Sequence, residues 1–423
     1  MALTFRGGVD LNFSKNTRKS PVENLPAPGF VSIPVSQYPG APAEFAVQAG
    51  DIVDKGQLIG QTAGNLSCPV HASVSGRVAG TEHGIITIEN DYADRLHAGV
   101  APFNKRISET SADEIIGIIK QAGISEPGGL PAYAKIQVAL NRVSTLIING
   151  AESEPYVTAA HRLMLEQPEF VINGVKILLK ALGLKKCLIA IEDNKLNAAD
   201  SLTAAAKKNK MIGTRLLKSK YPQDDERQLI YALTGREPGL SAKKLPVDYG
   251  YAVFSAETAA AICRVFVEGT PVIDRIVTVD GDCIANPKNL RAPLGAPVSA
   301  LIAYCGLKTE PRKIIRGGPM TGAAVLDPGA PVIKSTSAVL VFSDRNYKSR
   351  ECIHCGRCAE SCPMRLQPLY FAQAAQNAQN DDTYELSMDR DDIMSCTECG
   401  CCEYICPGGV PLLRHIRDAK ERA

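Results

Sequence analysis

Nine of the chain's fourteen cysteines fall between Cys352 and Cys406, and their spacing is the strongest chemical signal in the sequence. The segment ECIHCGRCAESCP holds Cys352, Cys355, Cys358 and Cys362, then Pro363. The segment SCTECGCCEYICP holds Cys396, Cys399, Cys402 and Cys406, then Pro407. Both fit C-x2-C-x2-C-x3-C-P, the spacing by which thiolates hold cubane iron–sulfur clusters. Three cysteines on one tight loop reach three irons of a cubane. The fourth, pushed by proline into a following helix, reaches the other cubane. Two [4Fe–4S] clusters with crossed ligands are therefore expected: Cys352, Cys355, Cys358 and Cys406 for the first, and Cys396, Cys399, Cys402 and Cys362 for the second. Zinc would ask for one or two C-x2-C pairs, not two matched quartets each ending in Cys-Pro. Cys401, between Gly400 and Cys402, is expected to pack beside a cluster without ligating it. Gly356 and Gly400 each follow the second cysteine of a run and suit a loop that wraps a cluster closely.

These runs need elements to hold them. The spacer LQPLYFAQAAQNAQN is rich in Ala, Gln and Leu and lacks Gly, which predicts a helix. The tail VPLLRHIRDAKER predicts a second. Residues 346–423 thus read as a mostly helical ferredoxin module, whose chemistry is one-electron transfer. The other five cysteines, Cys68, Cys187, Cys263, Cys283 and Cys305, are scattered, and only the lone pair Cys68-x2-His71 has a metal-like spacing.

Upstream, three further units are expected. In residues 1–104 the stretch 31–90 alternates short β-branched runs with Gly/Pro/Asp turns, which predicts an all-β unit. The string VQAGDIVDKGQLIGQ followed by CPVHASVSGRV resembles the barrel-sandwich hybrid of biotinyl and lipoyl domains. No lysine occurs from Gln61 to Gly76, where their modified lysine should stand, so the fold is expected without a swinging arm. His71 and His83 read as packed or solvated side chains. Residues 105–265 alternate amphipathic helices (ADEIIGIIKQAG, EFVINGVKILLKALG) with buried strands (STLIING, CLIAIED), which predicts a parallel sheet covered by helices. Ligands on such sheets gather at the carboxyl ends of the strands. Two segments qualify: NGAESEPY, with Asn149, Glu152 and Glu154, and the loop SEPGGLPAYAK, with Gly128, Gly129 and Lys135. Paired glycines let N–H groups approach a phosphate, and a lysine adds charge. Residues 266–345 read as a compact β-rich unit with one helix, VSALIAYCG.

Composition bounds the function. Forty-seven basic against 45 acidic side chains give a net charge of +2, no electrostatic footprint for nucleic acid. No apolar run reaches the ~18–20 residues of a membrane helix, and MALTFRGGVD has no signal-peptide pattern. A protein on the cytoplasmic side of the cell membrane, peripheral and held by protein contacts, is expected.

Taken together, TFRGGV, VQAGDIVDKGQLIG, NGAESEPYVTAAHRLMLE, IAIEDNK, YPQDDERQLIYALTGRE, GDCIANPKNLRAPLG, RGGPMTG and both cysteine runs resemble the RnfC family of the Rnf complex, the ion-translocating ferredoxin:NAD+ oxidoreductase. The central part is also similar to the flavin- and NADH-binding subunit of respiratory complex I. The resemblance implies a multidomain α/β protein: barrel-sandwich hybrid, FMN/NADH-type α/β domain, a β-grasp domain of the SLBB type, and the two-cluster ferredoxin. It implies an electron-transfer subunit passing electrons between NAD(H), through FMN, and other Rnf-type membrane subunits, with ferredoxin as an indirect partner. It places Asn149, Glu152 and Glu154 at the flavin, and Gly128, Gly129 and Lys135 at its phosphate. The glycine loop is two residues shorter than the family's and carries Glu126, and YPQDDE has Asp224 and Asp225 where the family has glycines. These departures predict weakened retention of FMN. The alternative is an electron-transfer protein that has lost FMN and NADH binding and serves a soluble reductase.

Overall fold

The computed structural model describes residues 2–37, 40–64, 66–237, 244–343, 349–380 and 393–422. Hydrophobic residues alternate in Ile85–Asn90, whose even positions Ile86 and Ile88 are fully buried. That period of two is what a strand with one solvent face requires. The strand pairs antiparallel with Gly76–Glu82 across the two-residue turn His83-Gly84, both at positive φ (51° and 75°), the backbone of a tight hairpin. His83 is therefore a turn residue. Phe30–Pro34 and Ile52–Val53 complete a four-stranded sheet that shares one core with a three-stranded sheet of Glu44–Phe45, Leu58–Gln61 and Val70–His71. This is the expected barrel-sandwich hybrid. His71 is buried, and burial with the neighbouring Lys334 pushes it down to about 3, so it stays neutral.

The central domain is a four-stranded parallel sheet in the order Ile212–Leu217, Cys187–Glu192, Thr145–Asn149, Tyr251–Ser255. Thr145 through Ile148 are all buried, because helices cover both faces. Leu146 and Ile148 join a large core with the helices Ala112–Gln121, Pro168–Leu182 and Ala256–Glu268, while Ile147 faces the helix Glu226–Thr234. The sheet's carboxyl edge, where Asn149 and Ser255 end adjacent strands, is thereby left open to loops.

The third unit is a six-stranded mixed sheet, in the order Val22–Asn24, Lys288–Pro293, Asp274–Asp280, Ala338–Phe342, Lys313–Arg316, Ala323–Ala324, packed by the helix Val298–Cys305. Its first strand comes from the N-terminus. Residues 3–24 lie outside the barrel core and stitch the other units together: Leu3 bridges to Leu217 at the edge of the parallel sheet, and Val9 to Tyr221.

In the C-terminal module the helices Pro368–Asn380 and Leu412–Arg422 pack together over Met364, Leu366, Phe371 and Ile416. Both expected helices form. The spacer between 381 and 392 lies outside the described residues.

Candidate functional site

The two cysteine runs adopt one repeated backbone. His354 and Glu398 both have φ of 55°, and Gly356 and Gly400 both have φ of 75°. The glycines begin short helices, Arg357–Glu360 and Cys401–Tyr404. Nothing lies within 4 Å of where a Cβ on Gly356 would stand. At φ 75° Gly356 adopts the left-handed conformation that favours glycine.

Four thiols line each of two small cavities. One is bounded by Cys352, Cys355, Cys358 and Cys406. The other is bounded by Cys362, Cys396, Cys399 and Cys402, with Cys401 beside them. The grouping is the crossed one. Backbone N–H groups point at sulfur: in equivalent places His354 donates to Cys352 Sγ at 3.3 Å and Glu398 to Cys396 Sγ at 3.4 Å, and Leu366 donates to Cys362 Sγ at 3.3 Å. Among the described residues no three His, Cys, Asp or Glu side chains converge on a single-ion site. Cys401 Sγ turns toward Tyr221 O at 4.0 Å and is buried.

The two cavities differ in surroundings. The first lies at the surface, with Cys355 exposed and Ile353 69% exposed. The second is pressed against the α/β domain. Tyr221 Oη donates to Cys399 O at 2.7 Å, Arg227 to Ser395 O at 3.4 Å, and Gln228 Nε2 to Met364 Sδ at 3.2 Å. The N-terminal glycines make the joint. Gly8 N–H donates to Ser361 O at 2.8 Å, and a Cβ on Gly7 would stand 2.7 Å from Cys362 O.

From Tyr221 the chain runs to Asp224 and Asp225, which line a cavity of about 930 Å³ at the carboxyl ends of the parallel strands. Gly128, Lys135, Asn149, Glu152 and Glu154 line it too. Gly129 does not; at φ 92° it turns the loop, and its N–H donates to Glu126 O at 2.8 Å. Asn149 Nδ2 donates to Asp224 O at 2.8 Å. Glu152 acts as a cap, accepting from Ala160 N at 2.8 Å and His161 N at 3.4 Å. Glu154 accepts from Met320 N at 3.0 Å and from Thr321 N at 2.9 Å and Oγ1 at 2.5 Å, and burial pushes it up to about 7. It thereby ties the loop RGGPMTG to the cavity rim. Lys135 forms an ion pair with Glu226 and lies 5.3 Å from the centre of the Phe254 ring. Neighbouring Glu126 and Glu226 hold its ammonium above the ordinary range against desolvation.

Sequence reasoning missed the lysines that hold this rim. Lys15 Nζ donates to the carbonyls of Glu152, Glu154 and Val157 at 2.8, 2.7 and 2.5 Å. Burial, with Lys195 nearby, pushes Lys15 down to about 8. Lys195 is buried and pairs with Glu192, whose carboxylate also accepts from Glu152 N at 3.0 Å.

Four family models match in the order of the four units. They are the RnfC barrel sandwich hybrid domain over residues 3–93, the Nuo51 FMN-binding domain over 119–264, the SLBB domain over 276–324 and the 4Fe-4S dicluster domain over 348–410. The RnfC protein of the Na(+)-translocating ferredoxin:NAD(+) oxidoreductase complex of Acetobacterium woodii is 37% identical over 390 residues, spanning 88% of this chain and 87% of that one. The chain belongs to the RnfC family. The counterpart from the proton-translocating complex of Clostridium ljungdahlii is 39% identical, over 87% of this chain and 83% of its own. The counterpart from the ion-translocating oxidoreductase complex of Rhodobacter capsulatus is 36% identical, over 87% and 74%. An NAD+-reducing [NiFe]-hydrogenase has the same fold, with a TM-score of 0.54 at 16% identity, over 76% of this chain and 64% of the hydrogenase chain.

An RnfC chain is thereby expected to hold iron–sulfur clusters and FMN, and the two fits differ. Eight thiols in two cavities, with N–H donors on sulfur, suit two [4Fe–4S] clusters. For FMN the α/β-domain cavity offers two cations, Arg316 and Lys135, beside several carboxylates. The Gly129 N–H is turned to Glu126 O, Lys135 is already paired with Glu226, and the carboxylates of Glu126, Asp224 and Asp225 line the same cavity.

Proposed function

We propose that the chain is the electron-transfer subunit of a membrane-bound, ion-translocating oxidoreductase, carrying electrons between the α/β-domain cavity and partner subunits through two [4Fe–4S] clusters. The observation that carries this reading is the grouping of eight thiols into two crossed sets, one against the cavity domain and one at the surface. Cys352, Cys355, Cys358 and Cys406 would hold the outer cluster, and Cys362, Cys396, Cys399 and Cys402 the inner one. Bound clusters of this type supply reversible one-electron transfer, at potentials set by hydrogen bonds to sulfur and by exposure. The chain's own residues supply both levers: His354, Leu366 and Glu398 donate N–H groups to sulfur, and Tyr221 and Arg227 fix the inner set against the α/β domain.

The cavity is the two-electron end of this reading, with Asn149, Glu154 and Lys135 as its polar contacts and NAD(H) as the exchange partner. Other Rnf-type subunits receive or supply electrons at the outer set, with ferredoxin as the remote partner. The chain would sit peripherally on the cytoplasmic side of the cell membrane. No helix among the described residues is long and apolar enough to cross a membrane, so attachment through protein contacts agrees with it. Service to a soluble reductase is not favoured, because the relatives above are named as subunits of translocating complexes. The test is to add the anaerobically purified chain to membranes that carry the remaining subunits but lack this one. NADH should then bleach the cluster absorbance and restore ferredoxin-linked turnover; neither effect would appear if the reading is wrong.

A further inference from the structure

We infer that Lys420 is a positioning residue for electron transfer: its charge, set on the backbone of the inner thiol group, raises the potential of the cluster held there and leaves the outer one nearly untouched. This rests on the electron-transfer reading above and deepens it. Lys420 Nζ donates to Cys396 O at 2.7 Å and to Glu398 Oε1 at 2.8 Å. The side chain of Lys420 is only 17% exposed, so water and salt screen its charge little. The helix Leu412–Arg422 decides which thiol set feels that charge. Leu412 lines the outer cavity, Leu413 and Ile416 line the inner one, and Lys420 stands about one turn beyond Ile416.

The repeat of the two cysteine runs shows what is added at the inner set. Glu398 and His354 hold the same place, each at φ 55° and each giving its N–H to the first cysteine of its run. Glu398 also brings a carboxylate, and that charge alone would disfavour an added electron nearby. Arg417 Nε donates to Glu398 Oε2 at 2.8 Å, so Arg417, Lys420 and Glu398 together sum to one positive charge. Arg417 is 50% exposed and the more strongly screened of the two cations. At the outer set, Cys358 O accepts from a neutral donor, Ser361 Oγ, at 3.2 Å. A cluster gains one negative charge on reduction, and its potential follows local charge and hydrogen bonding. A cation fixed on a ligand's carbonyl therefore favours the reduced form. The inner set is the one pressed against the α/β domain, so the effect holds an electron at the cavity end of the chain.

The experiment follows the full chain, purified anaerobically with its clusters, by electron paramagnetic resonance during a redox titration. The midpoint that disappears in Cys362→Ser identifies the inner cluster. Lys420→Met should lower that midpoint by roughly 59 mV, a tenfold change in a one-electron equilibrium, while the outer midpoint moves much less. Lys420→Arg should restore most of the wild-type value. Glu398→Gln, which keeps the backbone N–H on Cys396 Sγ, should raise the inner midpoint. Opposite signs are what a fixed charge produces and what a general loosening of the module does not. Iron content verifies intact clusters, and if Lys420→Met loses iron, Glu398→Gln carries the comparison. An inner midpoint that neither variant moves, or that both move in the same direction, would overturn the inference, as would equal shifts of the two clusters. With about eight irons still bound, such a failure leaves the electron-transfer reading standing; a wild type without clusters would sink both.

Discussion

A carboxylate with three hydrogen-bond donors ordinarily stays ionised, yet burial lifts Glu154 to about 7. The sign follows. Above that pH the ionised group accepts fully from Met320 and Thr321, and below it the protonated group accepts less. Amide exchange at Met320 and Thr321, corrected for its intrinsic pH dependence, should therefore speed up as pH falls from 8 to 6, and Glu154→Gln should remove the trend. A pH-independent rate in the wild type would count against this tie. Among the cysteines, Cys362→Ser should damage the cluster whose other ligands lie on the second run, and leave the first-run cluster intact. Electron paramagnetic resonance of the reduced variant that shows the first-run signal alone missing would refute crossed ligation. The eight cysteines were legible because ligand spacing is a local pattern. Lys15 was not: its carbonyl partners lie 137 to 142 residues away, and no periodicity reports such a distance.

At the scale of elements, the helix Pro168–Leu182 shows how tightly the α/β core is set. A Cβ on Gly174 would stand 1.7 Å from Ala259 O on the helix Ala256–Glu268. The two backbones touch there, so Gly174→Ala must push the helices apart. A cost of about 3 kcal/mol or more is expected from such overpacking, read as a clearly lowered midpoint of thermal unfolding; an unchanged midpoint would contradict the close approach. Two helices and two strands of this domain, Ala112–Gln121, Pro168–Leu182, Thr145–Asn149 and Cys187–Glu192, were legible, because each helix buries one stripe and each strand is a short apolar run. The strand Val22–Asn24 was not, since three residues carry no period and its partner Lys288–Pro293 lies far along the chain. The acidic side chains of the cavity were visible in sequence, but the orphaned oxygen of Glu126 and the capping role of Glu152 needed coordinates.

For the molecule as a whole, the N-terminal segment is the joint between the cluster module and the cavity domain. Gly7 has φ of 70° and lies against Cys362 O, and Gly8 N–H bonds Ser361 O. Gly7→Val should loosen that joint without removing a thiol. Hydrogen exchange over residues 2–12 is expected to rise while the outer cluster's spectrum stays as in the wild type; unchanged exchange would show that the joint lies elsewhere. The order of four units was readable because each carries its own sequence pattern, whereas their stitching by residues 3–24 was hidden in a stretch without periodicity. The central claim is that this chain is a two-cluster conductor, and the most direct measurement is iron and acid-labile sulfide per chain in anaerobically purified protein. Two tetranuclear clusters predict about eight of each. A value near four, or zinc in place of iron, would contradict the account.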